Sequence, residues 1–227
     1  FRTITPMERP DELADKEFLT DEEAAEVEEA RRDRDSGRDD EVPADIVGNY
    51  NQFWFDRGTD VITTRRTSLV VEPLDGRVPP LTPEAEQKQV ELQEARRGTG
   101  THQPTPGGWV EDLGANGLQV RCITGFNSGP PMTPGGYNNN VQLFQTPTEV
   151  VLLNEMNHNV RIVPLDQRSR GDLRQWAGDS HGYWDGDTLV VETRNFSAQA
   201  ESPAALYQRT RGSAAQLQLV ERFTRLG

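Results

Sequence analysis

The sequence predicts a mainly β protein: an antiparallel β-meander with long loops, preceded by an acidic helical arm and interrupted by one inserted helix. Three observations predict it. From residue 61 onward, short β-branched runs recur, each bounded by turn-forming residues. Asp75-Gly76 and Asp185-Gly186 are pairs that close tight hairpins. The negative charge is also uneven: residues 1–50 carry a net −10, while residues 51–227 carry −3 of the total −13.

The arm is read as residues 1–45, with its helix near 20–35. Thr20 followed by Glu23 forms a capping box, and acids lead while arginines trail from Asp21 to Arg34, as the helix dipole prefers. Ala24, Ala25, Val27 and Ala30 make only a thin apolar stripe, which suits a surface or a partner better than a core. That stripe predicts few contacts between the arm and the rest of its own chain. The charged run from Asp33 to Glu41 reads as a linker.

Residues 46–227 form the predicted β domain. Strands are expected at Val61–Thr64, Thr67–Glu72, Val141–Gln145, Glu149–Glu155, Val160–Leu165, Thr188–Thr193 and Leu217–Thr224, with a turn at Asn157-His158-Asn159. A meander of this many strands is compatible with a partly closed, calycin-like barrel. The inserted helix is expected near 83–97, with Thr82 as N-cap, Pro83 at the first position and Gly98 as its stop. Thr99–Gly117 and Gly125–Asn140 are rich in Gly, Pro and Asn and read as binding loops.

Composition excludes several classes of function. No stretch approaches the roughly 18 apolar residues of a membrane span. The acidic balance and the lack of a Lys/Arg cluster interleaved with aromatics argue against nucleic-acid binding. Cys122 is alone, so neither an internal disulfide nor a CxxC motif exists.

The segments RTSLVVEP (66–73), YNNNVQ (137–142) and GDSHGYWDGDTLVVETRNF (178–196), with RCITGF and LVERFTR, resemble a large family of exported bacterial proteins of unassigned activity. The resemblance runs over nearly the whole chain. It implies a signal sequence ahead of Phe1, further strands after Gly227, and a later cysteine-containing segment as the pairing candidate for Cys122. An extracytoplasmic, periplasmic setting follows from it. No activity does.

Gly178-Asp179-Ser180-His181-Gly182 matches G-x-S-x-G, but a nucleophile elbow needs a strand before the serine and a helix after it, and here a hairpin follows. No histidine comes after His181, so a Ser–Asp–His order is incomplete. The catalytic alternative is therefore a convergence of His158, Asp179, Ser180 and His181. The metal alternative places His158 near His181, or uses Asp185 and Asp187 around Gly186; turn chemistry is the competing reading. For ligand binding the candidates are Trp54, Trp109, Tyr137, Asn139 and Trp184, each of which is as well explained by core packing or loop geometry.

The functional expectation is a non-catalytic binding or accessory protein outside the cytoplasm. It would be a periplasmic subunit stabilising a membrane protein assembly, a photosynthetic reaction-centre complex being one such setting, held through the arm and long loops and needing no cofactor. The alternative is a secreted hydrolase or lyase acting on a small molecule or glycan in a loop-lined groove. Convergence of His158, Asp179 and His181 discriminates the two.

Overall fold

The computed structural model describes residues 2–36, 55–56, 58–95, 121–123, 127–166, 169–197 and 214–225. Trp54, Trp109 and the loop 99–117 lie outside them. The chain divides into two compact units. One comprises residues up to Pro79 together with Thr133–Asn139, and the other holds Pro80–Met132 and residues from Asn140 onward.

In the N-terminal unit, helix α1 spans Asp21–Ser36. Its cap is the expected reciprocal pair: Glu23 N–H donates to Thr20 Oγ1 (3.2 Å) and Thr20 N–H to Glu23 Oε2 (2.8 Å). Lys16 also binds Glu23, and this ammonium, ahead of the Thr20 amide, holds the Glu23 carboxyl below its ordinary pKa. Only Ala24 of α1 is buried.

The arm is nevertheless not a free tether, and the expectation of few contacts is corrected. Ile4 N–H donates to Asp60 O, Leu69 and Val70 to Pro6 O and Met7 O, Arg9 to Gly76 O, and Thr67 to Glu17 O, all at 2.9–3.0 Å. Thr3, Thr5, Arg9, Thr67 and Ser68 are buried between the two strings of chain. Counting apolar area alone missed this docking, because backbone hydrogen bonds and hydroxyl groups make it. The same pattern displaces the strands expected at Val61–Thr64 and Thr67–Glu72. Arg65 adopts φ 57° after a turn closed by Arg65 N–H to Ile62 O, and a single bridge, Phe18 to Arg66, is all the β pairing there.

The second unit carries helix α2, Pro83–Ala95, capped by Thr82 Oγ1 accepting from Ala85 N–H (3.3 Å). It also carries two three-stranded antiparallel meanders. The first joins β1 (Val141–Gln145), β2 (Glu149–Asn154) and β3 (Val160–Pro164); the second joins β4 (Asp179–Asp185), β5 (Thr188–Arg194) and β6 (Leu219–Thr224). The described residues form no closed barrel. Val150, Leu152 and Val163 from the first sheet instead pack against Leu189 and Val191 from the second, flanked by Leu165 and Phe223. Gly182 permits this approach, since a Cβ there would stand 2.7 Å from Val163 Cγ1. Within the same interior Arg161 of β3 pairs with Glu221 of β6, whose carboxylate also accepts from Met132 N–H (3.0 Å).

Only the end of β4, Tyr183–Asp185, falls within the hairpin expected around Asp185-Gly186; its first half reads as a turn in the sequence. Gly, Asp, Ser and His give residues 178–182 turn-like composition; pairing with the strongly β-branched β5, Ser180 opposite Thr193 and Gly182 opposite Val191, extends them. The hairpin turn falls one residue later than its dipeptide suggested. Asp185 pairs with Thr188, so Gly186 and Asp187 form the loop, and only Gly186 has positive φ (58°). That is the type II′ distribution, with glycine first, instead of I′.

Candidate functional site

Alternation along β4 decides what the G-x-S-x-G segment can do. Ser180 and Gly182 face the core, while Asp179 and His181 share the opposite face. The Ser180 hydroxyl is buried and bonded to Thr193 Oγ1 at 2.8 Å, a cross-strand hydroxyl pair. It therefore points away from His181. A serine nucleophile needs its base within hydrogen-bond reach, and this sheet places the two on different faces.

On the outward face, His181 Nε2 lies 3.4 Å from Asp179 Oδ1. Register brings Glu192 opposite His181 and Arg194 opposite Asp179. Arg170 donates to the carbonyls of Asp179 (2.9 Å) and Glu192 (3.2 Å), and its guanidinium stands 3.6 Å from the Glu192 carboxylate. Arg194 lies 3.8 Å from that same carboxylate. The result is a charge-balanced row: one carboxylate serves the histidine, the other serves two arginines. Chemically it can hold an imidazole in one orientation. Sequence reasoning singled out Asp179 and His181 as members of the G-x-S-x-G segment; their shared face, and the addition of Glu192, Arg170 and Arg194, come only from the strand and its register.

The remaining candidates do not meet this row. His158 is exposed in the 3-10 turn Met156–His158 between β2 and β3, at φ 48°, and makes no ion pair or side-chain hydrogen bond with Asp179 or His181. Asp185 and Asp187 are exposed at the hairpin end. No group of three or more His, Cys, Asp or Glu side chains among the described residues is placed to hold a metal ion.

In the N-terminal unit, Tyr137 meets Phe55 edge-on at 5.8 Å between centroids, and Asn139 Nδ2 donates to the carbonyls of Asp56 (2.7 Å) and Gly135 (3.1 Å). Both side chains thus tie residues 55–56 to 133–139. Trp184 is exposed near the hairpin turn.

Comparison with family models, curated proteins and solved structures gave no match.

Among the described residues, the outer face of β1–β3 departs from ordinary patterning. Register lines up Phe144, Val151 and Ile162 in one row, and Gln142, Leu153 and Val160 in the next. Phe144 (46%), Ile162 (57%) and Val160 (55%) are exposed. Its signal was present in the sequence: Val150-Val151-Leu152-Leu153 is apolar on both alternations, as in a strand covered on both faces. The described structure covers one face with core and leaves the other open.

Proposed function

We propose that the protein is a non-catalytic binding or accessory protein of the extracytoplasmic space, a periplasmic subunit that stabilises a membrane protein assembly, for which a photosynthetic reaction-centre complex is one setting. The observation that carries this reading is the open apolar face of β1–β3, with Phe144, Val151 and Ile162 in one row. Contiguous exposed apolar rows on a soluble surface mark an interaction site. The periplasmic setting rests on the family resemblance of the sequence. No helix of the described residues is long and apolar enough to cross a membrane.

Docking of the arm on its own chain shifts the partner surface from arm to sheet. The test is capture from solubilised membranes of the source cells by the full tagged chain. The native sequence should retain one defined assembly, and Ile162→Glu, at an exposed position, should lose it without lowering the melting temperature. Equal retention by both chains would sink the reading. The alternative reading, a hydrolase or lyase, calls for His158, Asp179 and His181 to converge, and His158 does not join the Asp179–His181 pair. An ester or glycoside turnover that His181→Ala abolishes would restore it.

A further inference from the structure

We infer that β1 is a docking edge to which an extended segment of a protein partner adds as a fourth strand, its apolar middle flanked by basic residues. This rests on the binding reading above and goes further by naming the edge and the partner's chemistry. The hydrogen-bond pattern identifies which groups are available. Glu155 N–H donates to Asn140 O (2.9 Å) and Thr146 N–H to Glu149 O (2.8 Å), so these two pairs bracket the β1–β2 ladder. In an antiparallel ladder bonded and non-bonded pairs alternate, which makes Gln142–Leu153 and Phe144–Val151 the bonded pairs between them. The N–H and C=O groups of Val141, Leu143 and Gln145 therefore point out of the sheet's other edge. Among the described residues no strand pairs with that edge and no backbone hydrogen bond reaches it.

Natural sheets protect such edges with lysine, proline, bulges or inward charges. Val141-Gln142-Leu143-Phe144-Gln145 has no charge, no proline and no glycine. Leu143 (47%) and Phe144 (46%) are exposed although their side chains leave opposite faces, so apolar surface is open on both sides of the edge. The edge is also continuous with the apolar outer face of β1–β3.

Charge selects the occupant. Glu155, whose carboxylate accepts from Asn140 N–H (3.2 Å) and Nδ2 (2.9 Å), and Glu149 stand on the β2 side in the register rows just beyond the two ends of β1. A strand with Lys or Arg at its ends complements that frame. A second copy would bring the same carboxylates to the edge.

The probe is a labelled peptide of sequence KVTVTVK, titrated into the full chain and followed by anisotropy, with KVTPTVK as control. Leu143→Pro and Gln145→Pro remove N–H groups that face the free edge and leave the β1–β2 ladder intact. Saturable binding of KVTVTVK is expected, at least about tenfold weaker for either proline chain and for the proline peptide, a loss of about 1.4 kcal/mol. Undiminished binding by folded proline chains, equal binding of the two peptides, or no binding of KVTVTVK would overturn the proposal. A sedimenting dimer abolished by Gln145→Pro would overturn it too, by giving the edge to a second copy. Should Leu143→Pro fail to fold, Gln145→Pro and the peptide pair still decide. Membrane capture separates the two readings: retention undiminished by Gln145→Pro removes this edge alone, whereas no retention by the native chain removes the binding function.

Discussion

Gly76 and Gly186 both hold positive φ, yet the chain requires different things of them. A Cβ on Gly186 would meet nothing within 4 Å, so Gly186→Ala carries only the left-handed penalty, about 1–2 kcal/mol. At Gly76 (φ +71°) the same atom would stand 2.4 Å from Ser68 Oγ and 3.0–3.1 Å from Arg9 Nε and Nη2, inside the buried contact that docks the arm. Gly76→Ala should therefore cost about 1–3 kcal/mol more, the overpacking range, read as a lower denaturant midpoint. Equal midpoints would show that Arg9 is free to move aside. A second residue-scale test concerns Arg161 and Glu221, whose side chains are 5% and 9% exposed. Glu221→Leu leaves a buried guanidinium unpaired and should cost about 3–5 kcal/mol, while adding Arg161→Met should recover much of that loss. A double variant no more stable than the single one would mean that the Met132 N–H contact, and not the ion pair, needs the carboxylate.

At the scale of elements, what was legible in the sequence depended on whether local chemistry or register decided the outcome. The cap of α1 was legible because Thr20 and Glu23 satisfy each other within four residues. β5 was legible because Leu189, Val190 and Val191 favour strand in any setting. β4 was hidden because its Gly, Asp and Ser favour turns and only pairing with β5 extends them. Residues 61–72 gave the converse error: their β-branched composition is real, but the arm takes their hydrogen bonds one by one and no ladder grows. Asp179 and His181 share a face only once β4 is known to be a strand, and Glu192 needed the register as well. The α1 cap also yields a pH prediction. The Glu23 carboxyl is held below its ordinary pKa by Lys16 first and Thr20 second. A depressed folded pKa gives stability that is full above the unfolded value and fades as pH falls through the folded one. Protection of the first-turn amides of α1, measured against their intrinsic exchange rates at each pH, should fall on acidification through the carboxylate range, and Thr20→Ala should lower it already at neutral pH. Protection independent of pH would show that the cap does not hold the helix.

Over the whole molecule, polar and apolar surface are apportioned differently in the two units. The N-terminal unit buries hydroxyls and Arg9 and holds its arm by backbone hydrogen bonds; among the described residues, the second unit buries aliphatic side chains between two sheets and leaves one sheet face apolar and open. A stable interior beside an uncovered apolar face is the arrangement expected of a chain whose remaining burial occurs against another protein. A catalytic protein would instead concentrate protection around Asp179 and His181 when its ligand binds. Hydrogen exchange of the full chain, free and within the assembly it retains from membranes, separates these outcomes most directly. The binding account predicts new protection across residues 141–164, strongest in β1 and at Ile162, with β4 and β5 unchanged. Protection confined to residues 179–194, with 141–164 exchanging as in the free chain, would contradict it.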